Sequence, residues 1–119
     1  MRDFRDLKVW EEARRLTLEV NRVTKTFPRE EQFGLTSQLR RAAGSVPANI
    51  AEGCGRDGRV ELARFCRIAM GSASELEYRL LLARDLGLLE GADHTNLDDH
   101  VTEVKRLLTA FVQKLTPDA

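Results

Sequence analysis

Residues 38–59 read QLRRAAGSVPANIAEGCGRDGR, a stretch in which aliphatic, small and polar positions each keep helical spacing and a proline falls in the middle. Leu39, Ala42, Val46, Ile50 and Cys54 recur at steps of three and four, one face of an α-helix, and Leu35 extends that face upstream. The pattern crosses Pro47, so the spacing predicts one helix over about residues 29–55, kinked near Pro47. A proline inside a helix has no N–H for the carbonyl four residues back, here Ala43, and costs about 3 kcal/mol. Packing must therefore hold the segment together; division into two helices at Val46 is the alternative. GCGRDG then places three glycines in six residues and closes the helix in a turn.

At 100° per residue, Ser37, Gly44, Ala48 and Ala51 fall nearly opposite the aliphatic face. Gln38, Arg41, Ser45, Asn49, Glu52 and Arg56 form a polar strip between the two. An isolated helix would fill its outer side with Lys and Glu, so this stretch is expected to touch something on more than one side.

Beyond the turn, Leu62, Cys66, Ala69, Ala73, Leu76, Leu80 and Ala83 keep a four-three alternation, which predicts a core-facing helix over about 58–86. Away from that stripe, Gly71, Tyr78 and Leu82 recur with Arg64 and Glu75 at helical spacing. Upstream, Leu7, Trp10, Ala13, Leu16, Val20, Val23 and Phe27 predict a helix over about 6–26, with Asp6 as N-cap and pairs such as Glu11/Arg15 and Glu19/Arg22 on its solvated face. Downstream, GLLEGAD is a turn, and Asp93 or Thr95 caps a last helix over about 95–114 with the stripe Leu97, Val101, Val104, Leu108, Phe111 and Leu115. Four helices with short connections and no strand-like alternation predict an all-α, antiparallel up-down-up-down four-helix bundle, one domain over residues 1–119.

Composition narrows the function classes. Nineteen Lys plus Arg balance nineteen Asp plus Glu, so no global field draws in a polyanion. The balance is uneven, with twelve basic against nine acidic residues up to position 59 and seven against ten beyond it. No apolar run approaches the roughly 20 residues of a membrane helix, and the mixed charges of the first fifteen residues do not form a signal peptide; a cytoplasmic protein with no membrane partner is expected. Cys54 and Cys66 lack any zinc-binding spacing and read as buried free thiols.

No nucleophile, base or metal constellation stands out, so neither enzyme activity, a catalytic residue, a metal nor a cofactor is expected. His94 and His100, six apart in HTNLDDH, do not share a helix face, and this segment reads as a solvated helix start with an acidic first turn. Glu61 and Glu75 lie nearly four turns apart with no ExxH partner, unlike the carboxylates of di-iron bundles.

The small-residue face carries the argument for assembly. A glycine within a helix costs about 1 kcal/mol relative to alanine, so Gly44 and Gly71 point to a close neighbour. Folding about residue 57 sets Gly71 opposite Ala43 and Gly44 and Cys66 near Ala48, so two readings stand: close packing within one subunit, or contact between copies. The residues expected to form the subunit contact or a structural network are Gln38, Arg41, Gly44, Ser45, Ala48, Asn49, Glu52, Arg56, Arg64, Gly71, Glu75 and Tyr78.

The blocks FRDLKVWEEA, FPREEQFGLTSQLRRAAGSVPANIAEGCGR and RFCRIAMGSASELEYRLLLARDLG occur in order over about residues 4–115. On them the chain resembles the small four-helix-bundle proteins encoded in intervening sequences of bacterial 23S rRNA genes, also called S23 ribosomal proteins. The resemblance implies a homopentamer. It is also distantly similar to the basic, pentameric accessory variability proteins of diversity-generating retroelements, from which its neutral charge departs. The expected role is a non-enzymatic homo-oligomeric assembly or interaction protein with itself as partner. The alternative is an RNA- or ribosome-associated protein that contacts phosphates through Arg40, Arg41, Arg56, Arg59, Arg64 and Arg67. A protein partner on an exposed apolar patch is a third class.

Overall fold

The computed structural model describes residues 2–117, which form four α-helices and, among the described residues, no strand. They are α1 (Lys8–Val23), α2 (Leu35–Cys54), α3 (Gly58–Asp85) and α4 (Gly91–Leu115), packed into a rod of 45 × 22 × 20 Å. Each aliphatic stripe faces inward: Ala13, Leu16 and Val20 of α1, Leu39, Val46 and Ile50 of α2, Ala69, Leu76 and Leu80 of α3, and Val101, Val104 and Leu108 of α4 are fully buried. Trp10 is half-buried and tilts against Phe4 at 4.9 Å.

Helix α2 runs unbroken through Pro47. The Ala43 carbonyl that proline leaves without its N–H faces the Thr17 hydroxyl of α1, 3.0 Å away. That hydroxyl also lies 2.9 Å from the Ala13 carbonyl, so one proton is shared between two acceptors. The same side of α1 continues the polar seam. Arg40 Nε of α2 donates to Thr24 Oγ1 at 2.9 Å, and Thr24 in turn donates to the Val20 carbonyl at 2.8 Å.

Several boundaries differ from expectation. Asp6 does not cap α1. It ends a 3-10 turn, Phe4–Asp6, whose cap is Asp3, and α1 begins after Leu7. Its solvated pairs are Glu11 with Arg14, Glu12 with Arg15 and Glu19 with Arg22; Glu11 takes the nearer guanidinium rather than Arg15. Helix α2 starts at Leu35, because Arg29–Glu31 is a 3-10 turn and Gly34 (φ −110°, ψ −115°) breaks the path between them. Helix α4 starts at Gly91, four residues before the expected start. Gly87, at φ 77°, closes α3 with its N–H on the Arg84 carbonyl and that of Leu88 on the Ala83 carbonyl. Leu89 is then buried, which shortens the connection. His94 thereby lands in the first turn of α4 and is buried rather than solvated.

The α2–α3 hairpin is the most extensive packing in the molecule. Ser45 meets Ser72 at 2.9 Å and Gln38 meets Arg79 at 2.8 Å, so the two helices run in opposite directions. Folding about residue 57 would place residue 69 beside Ser45; the observed register lies three residues further along α3. The close approach is made at Gly53, where a Cβ would lie 2.9 Å from Phe65 Cβ and 3.3 Å from the Leu62 carbonyl. Cys54 and Cys66 are buried and free.

Candidate functional site

The polar strip of α2 lies along the α2–α3 seam, where the hairpin register matches it to polar residues of α3. Gln38 is half-buried and accepts from Arg79. Ser45 pairs with Ser72, and Asn49 Nδ2 donates to the Ser45 carbonyl at 2.8 Å and to Ser45 Oγ at 3.0 Å. Arg41, Ala42, Ser45, Ser72 and Glu75 line a cleft of about 230 Å³. Glu75 also binds Arg79 Nε at 3.0 Å. Farther down, Glu52 pairs with Arg56 at 2.9 Å and Glu61 with Arg64 at 2.8 Å. The hydrogen bond from Arg64 holds the Glu61 carboxyl below its ordinary range, and Glu61 raises the Arg64 guanidinium in return. Both Arg56 and Arg64 stack on the buried Phe65 ring, at 5.2 and 4.5 Å from its centroid.

Beside this seam the outer face carries small and apolar residues among its charges. A Cβ at Gly44 or Gly71 would meet nothing within 4 Å, so neither glycine is needed for packing inside the chain. Ala48 is exposed beside them on α2. On α3, Val60 is 77% exposed, Ile68 42%, Tyr78 58% and Leu81 40%. Of these the sequence reading singled out only Tyr78. Val60, Ile68 and Leu81 are large apolar residues off the core stripe, a weaker signal than the unbroken stripe beside them.

The six candidate phosphate-contacting arginines separate into three groups. Arg40 is turned inward onto Thr24 and the Asn21 carbonyl. Arg56 and Arg64 are ion-paired. Arg41, Arg59 and Arg67 are exposed and make no ion pair among the described residues.

Among the described residues no group of three or more His, Cys, Asp or Glu side chains could hold a metal ion. His100 Nε2 is spent on Glu12 Oε2 at 3.1 Å, tying α4 to α1. His94 Nε2 and Thr36 Oγ1 are buried without a hydrogen-bond partner among the described residues, at the first turns of α4 and α2. Burial raises the Cys54 thiol, and it raises the Cys66 thiol to about 11, so neither is a ready nucleophile. No helix is long and apolar enough to cross a membrane.

Comparisons with known proteins agree with this architecture. The sequence profile described as "23S rRNA-intervening sequence protein" matches residues 5–110. Among solved structures, the chain is similar to a protein of unknown function from the S23 ribosomal protein family of Bacteroides thetaiotaomicron. The TM-score is 0.82 at 23% identity, covering 88% of this chain and 95% of that one. At that identity the likeness concerns the fold. A search of curated proteins finds no match.

Proposed function

The chain belongs to the 23S rRNA-intervening sequence protein family, and from that premise we propose that it is a non-enzymatic, homo-oligomeric four-helix-bundle protein whose work is assembly and interaction. The outer face of α2 and α3 is the subunit contact, and five copies is the number that the family resemblance implies. The observation that carries this reading is the pair Gly44 and Gly71. Each costs about 1 kcal/mol of helix stability relative to alanine, and neither is filled by any atom of its own chain. Exposed Ile68 and Tyr78 on α3 add apolar surface to that face. Buried free thiols suit a reducing compartment, and we assign the protein to the cytoplasm.

Sedimentation velocity at micromolar concentration tests the assembly. The wild type is expected to sediment as a multiple of 13.5 kDa, and Ile68→Glu with Tyr78→Glu to shift it toward a single subunit. A 13.5 kDa wild-type species would overturn the proposal.

A second reading rests on Arg41, Arg59 and Arg67, exposed and free of ion pairs among the described residues. In that reading, RNA phosphates are their partners, and a ring multiplies a weak patch into an avid surface. Binding of single-stranded RNA should then fall steeply with log salt. Absence of binding even at low salt removes this reading and leaves the first untouched.

A further inference from the structure

At the foot of the bundle the end of α2, the start of α3 and the N-terminal segment enclose a cavity of about 150 Å³ lined by Arg2, Gly53, Cys54, Arg56, Gly58, Arg59 and Leu62. Three of these seven residues are arginines and none is acidic. The Arg2 backbone N–H is held on the Cys54 carbonyl at 3.2 Å, and its guanidinium lies over the Phe111 ring of α4 at 5.5 Å. Arg56 is held beside Phe65, and Arg59 is exposed with no ion pair among the described residues.

None of the acids nearby lines the cavity. Asp3 accepts from the Arg5 backbone N–H at 2.9 Å and from its guanidinium at 3.1 Å. Glu52 accepts one N–H of Arg56, which leaves the other donors of that guanidinium. Asp57 does not line the cavity, and its side chain caps no amide of α3. Of the two glycines in the wall, Gly53 is required by the close approach of Phe65 and Leu62, and Gly58 by its own backbone, with φ 84°.

Three arginines around one small concave space, with no carboxylate in the lining, supply donors of the kind that recognise a tetrahedral oxyanion through charge-assisted hydrogen bonds. We propose that this cavity is a binding site for a phosphate dianion, either free phosphate or the terminal phosphate monoester of a nucleic acid. Its size suits a phosphate group rather than a whole nucleotide. The site needs no second copy, and it shares Arg59 but not Arg41 or Arg67 with the RNA reading.

Titration with inorganic phosphate tests it, followed by amide chemical shifts and by thermal midpoint against chloride of equal ionic strength. Saturable shifts concentrated at Gly53, Gly58 and Leu62 are expected, with a matching rise in midpoint. Arg59→Ala and Arg2→Ala should each weaken binding by about tenfold or more, the loss of one charge-assisted hydrogen bond, while Arg29→Ala, distant in the α1–α2 connection, should leave it unchanged. A 5′-phosphorylated RNA oligonucleotide that binds better than its 5′-hydroxyl counterpart, with loss in Arg59→Ala, would assign the phosphate to a nucleic-acid terminus. If only inorganic phosphate binds, the ligand is the free ion. No saturable shift to tens of millimolar phosphate with either ligand, or equal responses in Arg59→Ala and Arg29→Ala, would overturn the site.

Discussion

Replacing Thr17 by valine isolates how the protein accommodates a proline inside α2. Valine keeps the β-branched shape and removes the hydroxyl that faces the Ala43 carbonyl at 3.0 Å. Ala43 is fully buried, so its carbonyl, already deprived of an N–H by Pro47, is left with no donor. An unsatisfied buried acceptor costs about 1–3 kcal/mol. Because the hydroxyl proton is shared with the Ala13 carbonyl, which keeps its own helical N–H donor from Thr17, the lower half of that range is expected, about 1–1.5 kcal/mol. The decisive comparison is the double-mutant cycle with Pro47→Ala. Alanine restores an N–H to Ala43, so Thr17→Val in that background should cost only a few tenths of a kcal/mol, giving a coupling of about 1 kcal/mol. Pro47→Ala alone should stabilise the protein, because the intrinsic penalty of about 3 kcal/mol for an interior proline exceeds the unfolded-state entropy it removes. Urea unfolding followed by far-UV circular dichroism, at one fixed protein concentration, measures all four variants. If Thr17→Val costs the same with and without Pro47, the hydroxyl is not compensating for the proline and the account is wrong.

Four further tests follow from named residues. Gly53→Ala should destabilise by about 1–2 kcal/mol net, because its Cβ meets Phe65 Cβ and the Leu62 carbonyl. Gly44→Ala and Gly71→Ala, with open space around them, should each stabilise the isolated subunit by about 0.5–1 kcal/mol while weakening self-association; urea midpoints and sedimentation separate the two effects, and a neutral Gly53→Ala would refute the assigned contact. Burial raises the Cys66 thiol to about 11, so the folded state holds its proton more tightly than the unfolded one. That stability is intact below about pH 9 and lost as pH rises through 11, on the order of 2–3 kcal/mol. Cys66→Ala should show a shallower alkaline decline than wild type, and identical slopes would count against it. Arg40→Ala should cost about 1–2 kcal/mol by removing the guanidinium from Thr24, without altering any RNA affinity; a stability equal to wild type would show that the seam between α1 and α2 does not depend on it.

The four helices were legible before any coordinates because each stripe of apolar residues repeats every three to four positions, and burial of such a stripe is a local, additive property. Leu62 through Ala83 and Leu39 through Cys54 needed nothing else. Even the orphaned Ala43 carbonyl follows from Pro47 alone. Helix ends were less legible. Gly34 and Gly87 break or close their helices through backbone geometry and connections, and the burial of Leu89, which no local pattern announces, moved the start of α4 and took His94 inside.

What the sequence determined by itself is therefore the helix count, the core faces and the presence of small residues where a lone helix would carry charges. Only the tertiary structure decided which of those residues pack within the chain. The three-residue difference in hairpin register gave the close contact to Gly53 and left Gly44 and Gly71 unoccupied. The same packing turned Arg40 inward, brought Thr17 to Ala43, and gathered Arg2, Arg56 and Arg59 around one cavity. These outcomes depend on how side chains from segments far apart in sequence meet, and a register is a property of two helices together, not of either one.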